Sequence, residues 1–231
     1  MTAGAGSLAG STAVVTGASR GIGRAIATAL AQAGAEVALL ARDAARLAEV
    51  AAETGGKAFV VDVTDSHAVT AVADEIRAAM PPVRTLVNNA GAVVRSTTAQ
   101  LSDADWRRVM AVNLDGTFFV TRAFLADIIR ERGRIINVAS RAGREGTPML
   151  SAYCAAKHGV VGFTRSLAEE LRAAKVCVNA ICPGSVDTAM LREGIPDARP
   201  DMTPEDIART AVFLACTAPD ALTGSCIDIF G

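Results

Sequence analysis

The sequence predicts an α/β domain built on a parallel β-sheet with helices on both faces. Short apolar, β-branched segments alternate with longer segments of helical periodicity along all 231 residues. The predicted strands are apolar nearly throughout, which is typical of strands that are covered on both faces. Repeated β-α-β alternation implies parallel strands joined by right-handed crossovers. Because the chain contains no internal repeat and no low-complexity linker, we assign residues 1–231 to a single domain.

The elements follow in order, and several helix ends carry their own signals. Gly34 suits the end of the first helix, and Asp43 can cap the second. Ser102 and Asp105 resemble a capping box, and Pro204 begins the last helix. The predicted strands span residues 12–16, 36–41, 57–61, 84–87, 134–139, 176–181 and 225–229. The predicted helices span residues 21–33, 44–54, 66–80, 103–132, 151–174 and 204–217.

Composition excludes several function classes. With 51% hydrophobic and 20% charged residues and a net charge of −1, we expect one compact domain without a general attraction to nucleic acid or to a membrane surface. The five cysteines are odd in number and form no C-x-x-C pair, which favours reduced thiols. His67 and His158 lack metal-ligand spacing, so we predict no metal site.

The chain start resembles no targeting segment. Residues 1–11 are small and glycine-rich, without a basic start or an apolar h-region, and we expect a flexible terminus. We also expect no apolar run of membrane-spanning length, and hence a cytoplasmic protein without a membrane partner.

A glycine-rich loop follows the first strand and opens the first helix. Glycines allow unusual backbone dihedrals, and N–H groups at a helix N-terminus bind phosphate. The spacing is G-x-x-x-G-x-G, and the alternative is an ordinary tight turn. This context favours a dinucleotide site, to which we assign Gly17, Ser19, Arg20, Gly21, Ile22 and Gly23.

The residues after the second strand favour NADP. An acidic residue at that strand end would bind the ribose 2′-hydroxyl of NAD. Ala41 occupies this position, Arg42 follows it, and Arg20 lies in the glycine loop; two guanidinium groups suit a 2′-phosphate. Asp43 lies close to the expected ribose acid, so NAD is the alternative, but we interpret Asp43 as the helix cap.

Two further strand ends extend the predicted cofactor site. Asp62, with Val63, follows the third strand and is placed to meet the adenine amino group; a turn or cap aspartate is the alternative. Asn89, Ala90 and Gly91 follow the fourth strand, where small and amide residues can pack against a cofactor and tie neighbouring strands together.

Four residues form the candidate catalytic set. Tyr153 and Lys157 are one helical turn apart, so both project from one face, either as a proton donor beside an ammonium or as a surface pair. Ser140 ends the fifth strand, at the sheet edge where ligands bind. Asn113 and Gly116 oppose helix propensity, which predicts a local distortion that frees a backbone carbonyl; a solvent-facing asparagine is the alternative.

These segments together resemble the classical short-chain dehydrogenase/reductase family. The resemblance rests on TGASRGIG, NNAG, Asn113, Ser140, YCAAK and Pro183-Gly184 with Thr188, in order from about residue 12 to residue 229. It implies a single Rossmann domain with a seven-stranded parallel sheet, which acts as one dinucleotide-binding catalytic domain.

The resemblance also implies roles for the residues. Tyr153 is expected to be the general acid in carbonyl reduction, and Lys157 to bind the nicotinamide ribose and depress the tyrosine pKa. Ser140 is expected to hold the substrate oxygen, and Asn113 to support a water that relays protons to Lys157. The nicotinamide carboxamide is expected to meet the loop that contains Pro183, Gly184, Val186 and Thr188.

The segment after Thr188 departs from the family pattern because it is short. We interpret residues 184–203 as the substrate loop, with either an unusually open site or a missing lid helix. Family members form dimers and often tetramers through two long helices, and we expect a homodimer or homotetramer here. The candidate contact residues, with core packing as their alternative, are Phe118, Phe119, Phe124, Leu167 and Leu171.

The resulting hypothesis is an NADP-dependent reductase of a ketone or aldehyde, similar to 3-oxoacyl-(acyl-carrier-protein) reductases. An alcohol, sugar or polyol dehydrogenase is the alternative within the enzyme class. A nucleotide-binding sensor without turnover would not need all four catalytic residues. The substrate is expected to be a small carbonyl or alcohol compound, or a thioester of coenzyme A or of an acidic carrier protein, which could meet Arg130, Arg132, Arg165 and Arg172.

Overall fold

Seven strands form one parallel sheet in the order β3-β2-β1-β4-β5-β6-β7, as seen in a computed structural model that describes residues 8–231. This order confirms the predicted Rossmann fold, because the chain moves outwards from β1 in both directions. The strands are β1 (Thr12–Thr16), β2 (Glu36–Ala41), β3 (Lys57–Val60), β4 (Val83–Asn88), β5 (Arg134–Val138), β6 (Cys177–Pro183) and β7 (Cys226–Ile229).

The part of the chain that the structure describes contains eight α-helices, most of which cover the two faces of the sheet. They are α1 (Gly21–Gln32), α2 (Ala44–Thr54), α3 (Ser66–Ala79), α4 (Asp103–Met110), α5 (Gly116–Arg130), α6 (Ser151–Glu170), α7 (Ala189–Gly194) and α8 (Pro204–Cys216). Asp43 caps α2 by accepting the N–H of Arg46 at 3.1 Å, which confirms the cap interpretation. Ser102 caps α4 in the same way, accepting the N–H of Asp105 at 3.1 Å.

Two hydrophobic cores lie on opposite sides of the sheet. On one side, Ile26 and Leu30 of α1 pack with Leu214 of α8 against β1 and β2. On the other side, the buried residues of α3, α5 and α6 include Phe124 and Ile128. This two-sided burial explains why the strands are apolar without alternation.

Three elements differ from the sequence expectation. The predicted helix 103–132 contains a π-helical turn at Ala111–Asp115 between α4 and α5. The predicted helix 151–174 ends at Glu170, and a short 3₁₀ turn at Arg172–Ala174 follows. The helix α7 has no counterpart in the predicted elements, since its six residues are too few to show helical periodicity.

The flexible terminus expected for residues 1–11 stays a prediction, although residues 8–11 contact the rest of the fold. Leu8 is 2% exposed within the core, and the hydroxyl of Ser11 donates to the Leu8 carbonyl at 2.7 Å, so residues 8–11 are held in place. Residues 1–7 lie outside the described part of the chain.

The expectation that no apolar segment reaches membrane-spanning length is wrong when only length and composition are considered. The continuous helical segment Asp103–Arg130 has a mean hydropathy of 1.3 in its most apolar window, which is long and apolar enough to cross a membrane by length and composition alone. Val120, Phe124 and Ile128 of this segment pack against the sheet, as in the core helix of a globular domain.

Candidate active site

A cavity of about 590 Å³ lies at the carboxyl edge of the sheet, between the glycine loop and the segment around α7. Its volume falls within the range of small-molecule and cofactor sites. Most of the predicted site residues line it, namely Gly17, Arg20, Gly21, Ile22, Asn89, Ala90, Gly91, Ser140, Tyr153, Lys157, Pro183, Gly184, Val186 and Thr188. The remaining predicted residues lie outside its walls, namely Ser19, Gly23, Arg42, Asp62, Val63 and Asn113.

The glycine loop has the conformation and the crowding that require glycine. Gly17 has a φ of +64°, and a Cβ there would come within 2.9 Å of the Ala90 Cα. A Cβ at Gly23 would come within 2.2 Å of the Gly17 carbonyl oxygen, so Gly23 acts by allowing α1 to pack against the loop. Both positions hold the start of α1 close to the ends of β1 and β4.

The N-terminus of α1 offers backbone donors to the cavity. Arg20 occupies the N-cap position in extended conformation, and its side chain makes no cap hydrogen bond. Gly21 and Ile22 of the first turn line the cavity, and the first N–H groups of a helix have no intrahelical acceptor. An uncapped helix start beside a glycine cradle fits the pyrophosphate of a dinucleotide.

Polar contacts join the first and fourth strand ends, as the amide residues after the fourth strand predicted, and Thr16 is an additional partner that was not predicted. The hydroxyl oxygen of Thr16 accepts the N–H groups of Asn89 at 2.9 Å and Ala90 at 3.0 Å. The Asn89 amide donates to the Thr16 carbonyl at 3.0 Å and to the Gly17 carbonyl at 3.3 Å. Asn89 therefore holds the glycine loop with its side chain, and the strand-end threonine was the sequence signal that was missed.

A second buried network links four elements, β4, β5, α5 and α6, beneath the cavity. The Asn88 amide donates to Asn137 Oδ1 and to Thr121 Oγ1, each at 2.9 Å. The Asn137 amide in turn donates to Thr164 Oγ1 at 2.8 Å. These bonds fix β4, β5 and α6 relative to one another, which sets the position of α6 at the cavity.

Arg42 and Asp62 meet at the outer end of the sheet. Their side chains form an exposed ion pair at 3.7 Å, just beyond β2 and β3. Burial would raise the pKa of Asp62, but hydrogen bonds from Thr64 outweigh it, and with the charge of Arg42 they lower that pKa. Val63 instead packs on α5, where a Cβ at Gly116 would come within 2.8 Å of it.

Asn113 lies in the π-helical turn and is fully buried. Its amide nitrogen donates to the carbonyls of Ala92 and Val109, each at 2.8 Å. Its Oδ1 atom has no hydrogen-bond partner within the described residues and faces Gly91, where a Cβ would come within 2.9 Å of it. The π-helical turn is the distortion that the mid-helix asparagine and glycine predicted, and the solvent-facing alternative is wrong.

Tyr153 and Lys157 lie on the cavity-facing side of α6. The Lys157 Nζ atom is 5.6 Å from the centroid of the Tyr153 ring and donates to the Val138 carbonyl at 2.8 Å. Lys157 is 4% exposed, so the surface-pair alternative is wrong. Ser140 follows β5, and its hydroxyl oxygen accepts the N–H of Ala142 at 3.1 Å, which leaves its hydrogen free to donate.

In the protein without a bound cofactor, burial shifts the pKa values of both Tyr153 and Lys157. Desolvation raises the pKa of Tyr153 to about 12, although the neighbouring Ser140 side chain acts in the opposite direction. Desolvation also lowers the pKa of Lys157 to about 8. The pKa of Tyr153 in the protein alone therefore lies above its ordinary value, contrary to the expected depression by Lys157, because burial disfavours the charged phenolate.

The segment after β6 is an ordered lid, so a missing lid helix is not observed. Asp187 donates its N–H to the Met202 carbonyl at 2.9 Å, within an isolated bridge between Val186 and Met202 that closes the base of the segment. The Thr188 hydroxyl oxygen caps α7 by accepting the N–H of Leu191 at 3.2 Å. The Arg95 guanidinium donates to the Gly194 carbonyl at 3.3 Å and fastens the far end of α7.

The described residues contain no cluster of three or more histidine, cysteine, aspartate or glutamate side chains that could hold a metal ion. The groups that face the cavity include the phenol of Tyr153, the ammonium of Lys157, the hydroxyl of Ser140 and the backbone N–H groups at the start of α1.

Known proteins match both the sequence and the fold. The family model described as short chain dehydrogenase matches residues 11–198. The chain is 40% identical to inactive 2-(S)-hydroxypropyl-CoM dehydrogenase 2 of Xanthobacter autotrophicus, over 86% of this chain and 94% of that protein. It is 34% identical to the 3-oxoacyl-[acyl-carrier-protein] reductase FabG of Haemophilus influenzae, over 76% of this chain and 77% of that protein.

A solved structure has nearly the same backbone. The putative NAD(P)-dependent gluconate 5-dehydrogenase of Beutenbergia cavernae, with bound NADP at low occupancy, superposes with a TM-score of 0.91 at 39% identity and covers 98% of each chain. Together with the glycine loop and the Tyr153–Lys157 pair, these matches show that the chain belongs to the short-chain dehydrogenase family and is an oxidoreductase that interconverts hydroxyl and carbonyl groups with a nicotinamide cofactor.

Proposed function

We propose that this protein reduces a ketone or aldehyde to an alcohol with NADPH, and that Tyr153 is the general acid. The observation that carries the proposal is a partly buried, protonated Tyr153 beside Lys157 and Ser140, on a cavity that the glycine loop also lines. One relative is named as inactive, so family membership alone does not establish turnover. Turnover is supported instead by the presence of all four catalytic side chains, Asn113, Ser140, Tyr153 and Lys157.

Tyr153 and Ser140 are suited to the developing alkoxide of a reduced carbonyl. A phenol with a pKa of about 12 is fully protonated near neutral pH and can therefore donate. The Ser140 hydroxyl is oriented by Ala142 and can hold the same substrate oxygen. When bound, the nicotinamide supplies the hydride that completes the reduction.

Lys157 supplies positive charge to the side of the cavity that Tyr153 and Ser140 line. With a pKa of about 8, it remains predominantly protonated near pH 7. Its ammonium has three donors, and Val138 accepts one of them in the described structure. The remaining donors suit the ribose hydroxyls of a cofactor and a water near the unpartnered Asn113 Oδ1.

The adenine end favours NADPH over NADH. Asp43 caps α2 through Oδ1 and pairs with Arg46 through Oδ2, which makes it less available as an acceptor for a ribose 2′-hydroxyl. Arg42 is 73% exposed at the side chain and pairs with Asp62 at 3.7 Å, a distance that leaves its guanidinium donors available. The solved relative with bound NADP supports this choice.

A sugar or polyol dehydrogenase is the second candidate, because the solved relative is named a gluconate 5-dehydrogenase. For the first candidate, we favour a free carbonyl compound over a carrier-bound one. Two of the four arginines expected to meet an acidic carrier already bind acids of this chain, Arg130 to Asp127 and Arg172 to Glu169.

We also propose that the protein is a homodimer or homotetramer assembled through α5 and α6. Phe118 is 42% exposed, and its ring packs edge-on against Phe163 of α6 with centroids 6.3 Å apart. The Arg122 guanidinium stacks 5.0 Å above the Phe118 ring. The other expected contact residues, Phe124, Leu167 and Leu171, are buried in the core, so for them the core-packing alternative is correct.

Replacing the phenol tests the acid. Tyr153→Phe should keep NADPH binding and the thermal midpoint of the wild type, because the ring is retained. It should lower kcat for carbonyl reduction by at least about 100-fold, the usual contribution of a positioned acid. Fluorescence titration of NADPH and stopped-flow oxidation of NADPH measure the two effects. Turnover within a few-fold of the wild type would exclude Tyr153 as the acid.

Reversing one charge tests the cofactor choice. Arg42→Asp should shift the ratio of kcat/KM for NADPH over NADH towards NADH by about tenfold or more, the value of one charged hydrogen bond to phosphate. Arg107→Asp on the exposed face of α4 is the matched control and should leave the ratio unchanged. An unaltered ratio in Arg42→Asp would remove Arg42 from the 2′-phosphate site.

A charge in the aromatic surface tests the assembly. Phe118→Glu should reduce the sedimentation coefficient to that of a smaller species, because the carboxylate would be desolvated in the contact. Val60→Glu, at a 56% exposed position on the edge strand β3, is the control and should sediment as the wild type. A Phe118→Glu protein with the wild-type sedimentation coefficient would argue against an α5–α6 interface.

A further inference from the structure

The cavity has lining residues beyond those assigned to the cofactor and to the proton donor. Beyond Ser140 and Tyr153, the cavity is lined by four apolar side chains from three different segments, namely Val93, Leu150, Met190 and Ile195. Val93 follows β4, Leu150 precedes α6, and the other two belong to the lid.

The lid holds these side chains against the sheet edge. A Cβ at Gly91 would come within 3.4 Å of the Met190 methyl carbon, so that side chain lies over the strand end. A Cβ at Gly194 would come within 3.1 Å of Val93. With Arg95 fastening the Gly194 carbonyl, the apolar wall is part of the folded protein before a substrate binds.

Two arginines of the cavity lining, Arg141 and Arg192, are already paired within the chain. Arg141 forms an ion pair with Glu145 and stacks 5.1 Å from the ring centroid of Phe230. Arg192 of the lid forms an ion pair with Asp187. These pairs reduce the attraction of the substrate side for a carboxylate, phosphate or sulfonate, since each guanidinium already has a carboxylate of this chain.

We infer that this wall selects a carbonyl compound with an alkyl substituent and disfavours polyhydroxylated substrates. The inference rests on the proposed carbonyl reduction and deepens it. An alkyl group gains by leaving water against Val93, Leu150, Met190 and Ile195. A hydroxyl group buried there would lose its water partners without replacement, which lowers binding by roughly tenfold for each such group.

Two ketones with equal numbers of non-hydrogen atoms test the inference, pentan-2-one and 1,3-dihydroxyacetone. We expect kcat/KM of the wild-type protein, with its preferred cofactor, to be at least about tenfold higher for pentan-2-one. Met190→Gln keeps the side-chain length but adds an amide, and it should narrow this ratio about fourfold. Val93→Thr should narrow it too, which provides a second variant if the lid of Met190→Gln is disturbed.

The control is Met149→Gln. Met149 is 38% exposed, lies beside Leu150 and does not line the cavity, so its replacement should leave the ratio unchanged. A wild-type ratio near one or in favour of dihydroxyacetone, or equal ratios in the wild type and both cavity variants, would overturn the inference while carbonyl reduction stands.

A binding measurement separates this inference from the proposed function. Pentan-2-one and dihydroxyacetone are titrated into Tyr153→Phe saturated with NADPH, with nicotinamide fluorescence as the readout. Tighter binding of pentan-2-one, without turnover of either ketone by the wild type, would uphold the apolar wall and overturn the proposed reduction of such carbonyls. Equal or tighter binding of dihydroxyacetone would overturn the wall itself.

Discussion

The active site depends on an ammonium group held inside the protein. Lys157 is 4% exposed, and its Nζ atom has one acceptor among the described residues, the carbonyl of Val138 at the end of β5. A buried charge is destabilising unless it is compensated, and here burial lowers the pKa of Lys157 to about 8. The packing around α6 must therefore hold this side chain in place. Gly143 allows the turn after β5 to lie close to the backbone of α6, since a Cβ there would come within 2.7 Å of the Lys157 carbonyl oxygen. The remaining donors of Lys157 and the uncapped start of α1 face one cavity, which suits an anionic dinucleotide with ribose hydroxyls.

The rigidity of this arrangement comes from small polar contacts beneath the cavity. The Thr16 hydroxyl and the Asn89 amide join the glycine loop to the end of β4. The Asn88–Asn137–Thr164 network joins β4 and β5 to α6, which carries Tyr153 and Lys157. The glycine loop and the helix α6 are thus both attached to the end of β4. This common attachment fixes the distance between the cofactor-binding and the catalytic residues. Such fully buried networks contribute specificity of position as well as stability.

The sequence was sufficient for the sheet, the glycine loop and the Tyr153–Lys157 face, because these follow from local periodicity, spacing and family resemblance. It was insufficient where tertiary contacts decide. The helix α7 forms because Thr188 caps it and the Val186–Met202 bridge closes its base, and neither contact leaves a periodic signal. The sequence places Leu167 and Phe124 on a helix face but does not show whether that face packs against the core or against another subunit. In the structure both residues are buried in the core. The tyrosine pKa was expected to fall because only the nearby charge was considered, whereas the extent of burial is a property of the folded protein.

The most direct test is the titration of Tyr153, the only tyrosine in the chain, by its tyrosinate absorbance. The account predicts that the cofactor-free protein shows no tyrosinate until well above pH 10, because burial raises the pKa to about 12. Oxidised cofactor carries a positive nicotinamide ring, so saturating NADP should lower this pKa. A cofactor-free Tyr153 that ionises at or below pH 10, or one that does not respond to NADP, would contradict a partly buried phenol placed beside the cofactor as the proton donor.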